Sequence, residues 1–214
     1  MDPFELAIAS VSDIRLTVET SLLSVFYELL QAGFLVKCKA GVSIENLFYD
    51  QFKLDPRLTE EKISTIFLNG KPVDDIASTV VKDGSTLALS GAMPGLVGAT
   101  LRRKSPLASF RESISVEKSF KDHEKTEGYV QIKLFNVLLR ELGPDFLRRG
   151  IFVPSGELVA FFKKQSADFW RGCGEIVVDG QSADPKQLAG ELLKASSRMI
   201  FLSVKTSPDI GRSW

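Results

Sequence analysis

The chain has 214 residues, with 27 Lys and Arg set against 27 Asp and Glu, one His, two Cys and 44% hydrophobic residues. This is enough apolar material for one large packed domain or two small ones, and it excludes a disordered or collagen-like chain. Zero formal charge leaves no electrostatic footprint for nucleic acid or an anionic membrane, and Cys38 and Cys173 are too few for a disulfide scaffold or a four-thiolate zinc site. The neutrality is uneven along the chain: residues 1–98 carry 8 basic and 13 acidic side chains, 99–128 carry 7 and 5, and 129–214 carry 12 and 9.

The opening Met1-Asp2-Pro3-Phe4-Glu5 has acids where a secretory signal needs positive charge, which points to a cytoplasmic protein. Ile14-Arg15-Leu16-Thr17-Val18 alternates and predicts a strand; Leu22 to Gln31 reads as a short helix stopped by Gly33, and Phe34-Leu35-Val36 as a second strand. A helix is predicted to open at Ser43, whose side chain can cap free N–H groups, with Ile44, Leu47 and Phe48 making one buried stripe. Ile66-Phe67-Leu68 closes on Asn69-Gly70, a pair that tolerates positive φ in a tight turn, and Thr86 to Ser90 is the last strand before a glycine-rich loop. Gly84 to Leu101 is free of charge over 18 residues, but its glycines and Pro94 argue for strand and loop rather than a membrane span.

Residues 99–128 are Ser-rich and charged, and read as a linker that could lie along one domain through Phe110, Ile114, Val116 and Phe120. The same order of signals then recurs. Val130-Gln131-Ile132-Lys133-Leu134 is a strand, Val137 to Leu142 a helix stopped at Gly143-Pro144, and Ile151-Phe152-Val153 a strand. A helix opens at Ser155 with Leu158, Phe161 and Phe162 inward, Ile176-Val177-Val178 closes on Asp179-Gly180, and Arg198 to Leu202 is the last strand. Matched landmarks lie 110 to 116 residues apart, so the chain reads as a tandem repeat of ββαββ units, each with its helix after a first hairpin. The expected fold class is α+β: two units over 1–98 and 129–214, joined by the linker 99–128, each a mixed sheet packed on one main helix.

The segment Val130 to Gly143, ending Leu139-Arg140-Glu141-Leu142-Gly143, resembles the start of the small subunit of molybdopterin synthase. Leu68-Asn69-Gly70-Lys71-Pro72-Val73 and Val81-Lys82-Asp83-Gly84-Ser85-Thr86-Leu87-Ala88-Leu89 are similar to the thiamine-pathway sulfur carrier. The resemblance implies β-grasp, ubiquitin-like units. The family's sulfur chemistry uses a terminal Gly-Gly whose carboxylate becomes a thiocarboxylate. The first repeat instead continues Gly91-Ala92-Met93-Pro94-Gly95-Leu96-Val97-Gly98-Ala99, and the second runs on to Ser213-Trp214.

The candidate site is therefore this loop, Gly91, Met93, Pro94, Gly95 and Gly98 with Arg102 and Arg103 behind it, as an element that enters a partner's cleft or folds N–H groups around an anion. No P-loop pattern, catalytic constellation or metal-ligand spacing occurs, so no catalytic residue, metal or cofactor is expected. His123 reads as a solvated linker residue, Cys173 as a small turn or strand residue, and Phe161, Phe162, Phe169 and Trp170 as core beside Lys163 and Lys164. The leading expectation is a non-enzymatic protein that binds a protein partner, with no membrane and no small-molecule substrate. The alternatives are a sulfur carrier released by cleavage at Gly98, a thiol activity at Cys173, and weak RNA binding through Lys163, Lys164 and the Arg102 cluster.

Overall fold

The computed structural model describes residues 11–103, 105–106, 125–184, 188 and 199–207. In chain order the elements are β1 (Val11–Glu19), a 3₁₀ segment (Thr20–Phe26), α1 (Tyr27–Ala32), β2 (Phe34–Ala40), β3 (Val42–Ser43), and α2 (Ile44–Asn46) continued as a π-helix (Leu47–Gln51). Next come α3 (Pro56–Lys62), β4 (Thr65–Leu68), β5 (Lys71–Pro72), β6 (Val80–Val81), β7 (Thr86–Ser90) and α4 (Gly95–Leu101). The remainder is β8 (Thr126–Phe135), α5 (Val137–Arg149), β9 (Ile151–Pro154), α6 (Ser155–Lys163), α7 (Ala167–Arg171), β10 (Cys173–Val178), β11 (Gln181–Ser182) and β12 (Met199–Ser207). The fold is α+β with parallel and antiparallel strand pairs, and it divides into two compact units. A terminal unit combines Met1–Phe34 with Leu142–Trp214, and a central unit is Leu35–Glu141, both named for their place in the sequence.

These units differ from the expected split at 1–98 and 129–214, because the first strand of each expected unit lies beside strands of the other. In the terminal unit the strand order is β11–β10–β1–β12–β9. β1 runs parallel to β12, from Val11 opposite Met199 to Glu19 opposite Ser207, and antiparallel to β10, with Leu16 opposite Ile176. Alternation on β1 sends Ile14, Leu16 and Val18 to one buried face. Its start is held at the Asp179-Gly180 turn, where the Asp13 N–H donates to Asp179 Oδ1 at 2.8 Å and the Asp179 N–H donates back to the Asp13 carbonyl at 2.8 Å.

The helical side of the terminal unit is aromatic. Phe26 lies 5.1 Å from Phe161 and 5.8 Å from Phe169 between ring centroids, and Phe34 meets Phe146 edge-on at 5.1 Å. The helix predicted to stop at Gly143-Pro144 runs on to Arg149. Gly143 is there for close approach, since a Cβ would lie 2.8 Å from Leu30 Cδ1, and burial of Phe146 and Leu147 beyond it outweighs the hydrogen bond lost at Pro144. The stop is Gly150, at φ +98° with its N–H on the Phe146 carbonyl.

In the central unit the order is β5–β4–β7–β8–β2. β7 is parallel to β8 from Thr86 opposite Gln131 to Ser90 opposite Phe135, and β4 is antiparallel to β7. Val130, Ile132 and Leu134 of β8 are fully buried. β8 is again held beside an Asp-Gly pair, just ahead of its pairing with β7: the Tyr129 N–H donates to Asp83 Oδ1 at 2.6 Å, and the Gly84 N–H donates to the Tyr129 carbonyl at 2.8 Å. Ser43 caps α2 through the Asn46 N–H at 3.1 Å, placing Ile44, Leu47 and Phe48 in the core. Ser155, expected to cap in the same way, is instead the first residue of α6 behind Pro154, and makes no capping bond.

The first hairpin expected in each repeat is thus absent as such. β1 borders β10 and β12, and β8 lies between β7 and β2. Thirteen or so residues with helical structure separate β1 from β2, so no tight turn forces the two to pair. Burying three such side chains contributes about 5–9 kcal/mol per strand as an upper estimate, comparable to the whole stability of a small domain. Ile132→Ala should accordingly destabilise the protein by about 2–5 kcal/mol in urea unfolding, while Lys133→Ala, on the opposite face, should cost under about 1 kcal/mol.

Candidate functional site

The segment after β7 is fastened at three places and open between them. Gly91 is buried, and a Cβ there would lie 2.7 Å from Val137 Cγ1. Gly98 is buried, and a Cβ would fall 2.1 Å from the Met93 carbonyl oxygen, so only glycine allows Met93 and α4 to fold together here. The third point is Arg103, which is 8% exposed. Its N–H donates to the Ser64 carbonyl at 2.8 Å, Nη1 donates to the Ile63 carbonyl at 3.3 Å, and Nη2 lies 3.9 Å from Glu60 Oε1.

Between these points Ala92, Pro94, Gly95, Leu96 and Val97 are exposed and Met93 is half-buried. Leu96 is 74% and Val97 70% exposed, and among the described residues only Val137, at 37%, joins them as an exposed large apolar side chain. Isolated exposed apolar residues are ordinary; two adjacent ones on a segment pinned at both ends are less so. The expected open loop is in part a helix, Gly95–Leu101, entered from Pro94.

Of the predicted residues, the structure brings Gly91, Met93, Pro94, Gly95 and Gly98 into one short stretch and separates the two arginines. Arg102 is exposed, whereas Arg103 turns inward onto α3 and the start of β4, so its charge serves the fold. Lys104, His123 and the apolar linker residues Phe110, Ile114, Val116 and Phe120 lie outside the described residues. Sequence reasoning concentrated on the glycines and passed over Leu96 and Val97. Their only signal was being two adjacent bulky apolar side chains in a glycine-rich stretch.

Elsewhere, Phe161, Phe162 and Phe169 are buried, Trp170 is half-buried against Phe162 and Phe169, and Lys164 pairs with Glu28 at 2.6 Å. These rings face the core and leave no row of open aromatic faces on which bases could stack. Cys38 and Cys173 are both buried free thiols. Burial, with Asp83 and Glu127 adding repulsion, pushes the Cys38 thiol up to about 11, and burial pushes Cys173 up to about 11. Among the described residues no cluster of three His, Cys, Asp or Glu is placed to hold a metal, and no helix is long and apolar enough to cross a membrane. No protein-family profile, curated protein or solved structure matches the chain.

Two outcomes follow from this geometry. At pH 8 both native thiols should be alkylated roughly 100-fold more slowly than a free thiol, rising to the free rate in denaturant, because the thiolate fraction falls with the raised pKa. Arg103→Ala should open residues 92–101 to an apolar-directed protease about tenfold faster than in the unaltered chain, read as the rate of appearance of the two fragments.

Proposed function

We propose that this is a non-enzymatic protein of two β-grasp units that works by binding a protein partner, and that the segment Ala92 to Arg102 is the element it presents. The fold reading is supported by the parallel pair inside each unit, β1 with β12 and β7 with β8, each bordered by an antiparallel strand, β10 or β4, and by a helix that comes after β2 and after β9 in the chain. The observation that carries the binding reading is the exposure of Leu96 and Val97 on a backbone tied down at Gly91, Gly98 and Arg103. Because the segment is pre-ordered, docking would cost little conformational entropy, and its apolar tips would enter a partner's cleft.

No observation favours the sulfur-carrier reading. Gly98 lies buried inside α4, and a cut there leaves no free 1–98 piece, because β1 is paired with β10 and β12 while β8 stays beside β7.

Photo-crosslinking in cells that make the protein tests the proposal. A crosslinker at position 96 should give one or a few discrete protein adducts, lost on adding Val97→Asp, while a crosslinker at exposed Glu45 gives none of them. Equal patterns from positions 96 and 45 would count against this segment as the binding element.

A further inference from the structure

Each unit builds its central parallel pair from both halves of the chain. β1 comes from the first half and lies between β10 and β12 of the second; β8 comes from the second half and lies between β7 and β2 of the first. We propose that the two sequence repeats are reciprocal strand donors. Each half carries an open strand slot, the partner that fits it is an extended segment from the other half, and the covalent connection between Pro106 and Lys125 is dispensable for assembly.

The slots and their ligands match in three respects. The first is main-chain pairing. Removing β1 would bare the facing edges of both β10 and β12, and removing β8 would bare β7 along Thr86 to Ser90. Bare facing edges are a template for an added strand.

The second is side-chain pattern. Ile14, Leu16 and Val18 on β1, and Val130, Ile132 and Leu134 on β8, repeat every second residue and are at most 2% exposed, so a one-residue slip would turn all three out of the core. The third is a register stop. Asp179 accepts the Asp13 N–H and Asp83 accepts the Tyr129 N–H, each acid belonging to the acceptor half and standing before a glycine; in β8 this contact lies two residues ahead of the first residue paired with β7, Gln131. The far end of β1 is fastened as well, by the Glu19 N–H on the Gly172 carbonyl at 2.9 Å.

The proposal does not depend on which partner the protein binds, and it is tested on the full chain. A protease site is inserted after the exposed Pro106 and the folded protein is cut there. The cut protein is run on gel filtration in 1 M salt. In parallel, cysteines are placed at register neighbours of β1 and β12, Thr17→Cys with Lys205→Cys, and treated with a short bis-maleimide. A second pair, Ala88→Cys with Lys133→Cys, does the same for β7 and β8 should the first variant fail to fold.

The fragments are expected to co-elute at the size of the intact 23.6 kDa chain and to be joined covalently in the double variants, but not in the single ones. Separate elution overturns the proposal. So does co-elution without joining, because closed repeats that merely adhere would behave that way.

Discussion

Ile14, Leu16 and Val18 are buried on a strand whose two neighbours, β10 and β12, both come from the other half of the chain. The continuity of the terminal unit's sheet depends on that seat. β1 supplies the parallel neighbour of β12 and the antiparallel neighbour of β10, so without it the sheet would split into β10–β11 and β12–β9. In the central unit β8 is likewise seated between two strands of the other half, β7 and β2. Neither half of the chain contains a complete sheet, and stability that would ordinarily be local to a domain is shared across more than a hundred residues of sequence. Such long-range pairing closes large loops, which makes slow folding the natural consequence.

The two units fill the same pattern of places in different ways. The strand beside β4 is β7, the last strand of the first half of the chain, whereas the strand beside β10 is β1, the first strand of that half. Because each central pair is parallel, the two strands in it can trade places without reversing any neighbour's direction. The segment that follows β7 must then lead toward β8 instead of ending free. That gives a physical reason for a path folded back through Gly98 and Arg103 onto the central unit, with Leu96 and Val97 left exposed.

Local features were legible in the residues because local chemistry decides them. Asn69-Gly70 and Asp179-Gly180 adopt positive φ as their composition requires, Gly33 stops α1, and Ser43 caps α2. The inward faces of β1 and β8 follow from simple alternation. What could not be read was which strands each one pairs with. Ile14-Arg15-Leu16-Thr17-Val18 and Val130-Gln131-Ile132-Lys133-Leu134 present the same alternation, and nothing within either segment distinguishes one slot from the other. The role of Gly143 was misread for a related reason, since a glycine that ends a helix and one that admits a neighbouring Leu30 look alike until the neighbour is known. In the candidate segment the glycines were visible, but the inward turn of Arg103 was not. It depends on carbonyls at Ile63 and Ser64, some forty residues away.

Inter-strand nuclear Overhauser effects in solution test the reciprocal pairing most directly. The account predicts amide and α-proton contacts between Arg15–Leu16 and Ser203–Val204, between Leu16 and Ile176, and between Ala88–Leu89 and Lys133–Leu134. Contacts from Leu16 to the Leu35–Val36 segment, and from Ile132 to Phe152–Val153, with those first sets missing, would mean that each repeat closes on itself and would contradict it.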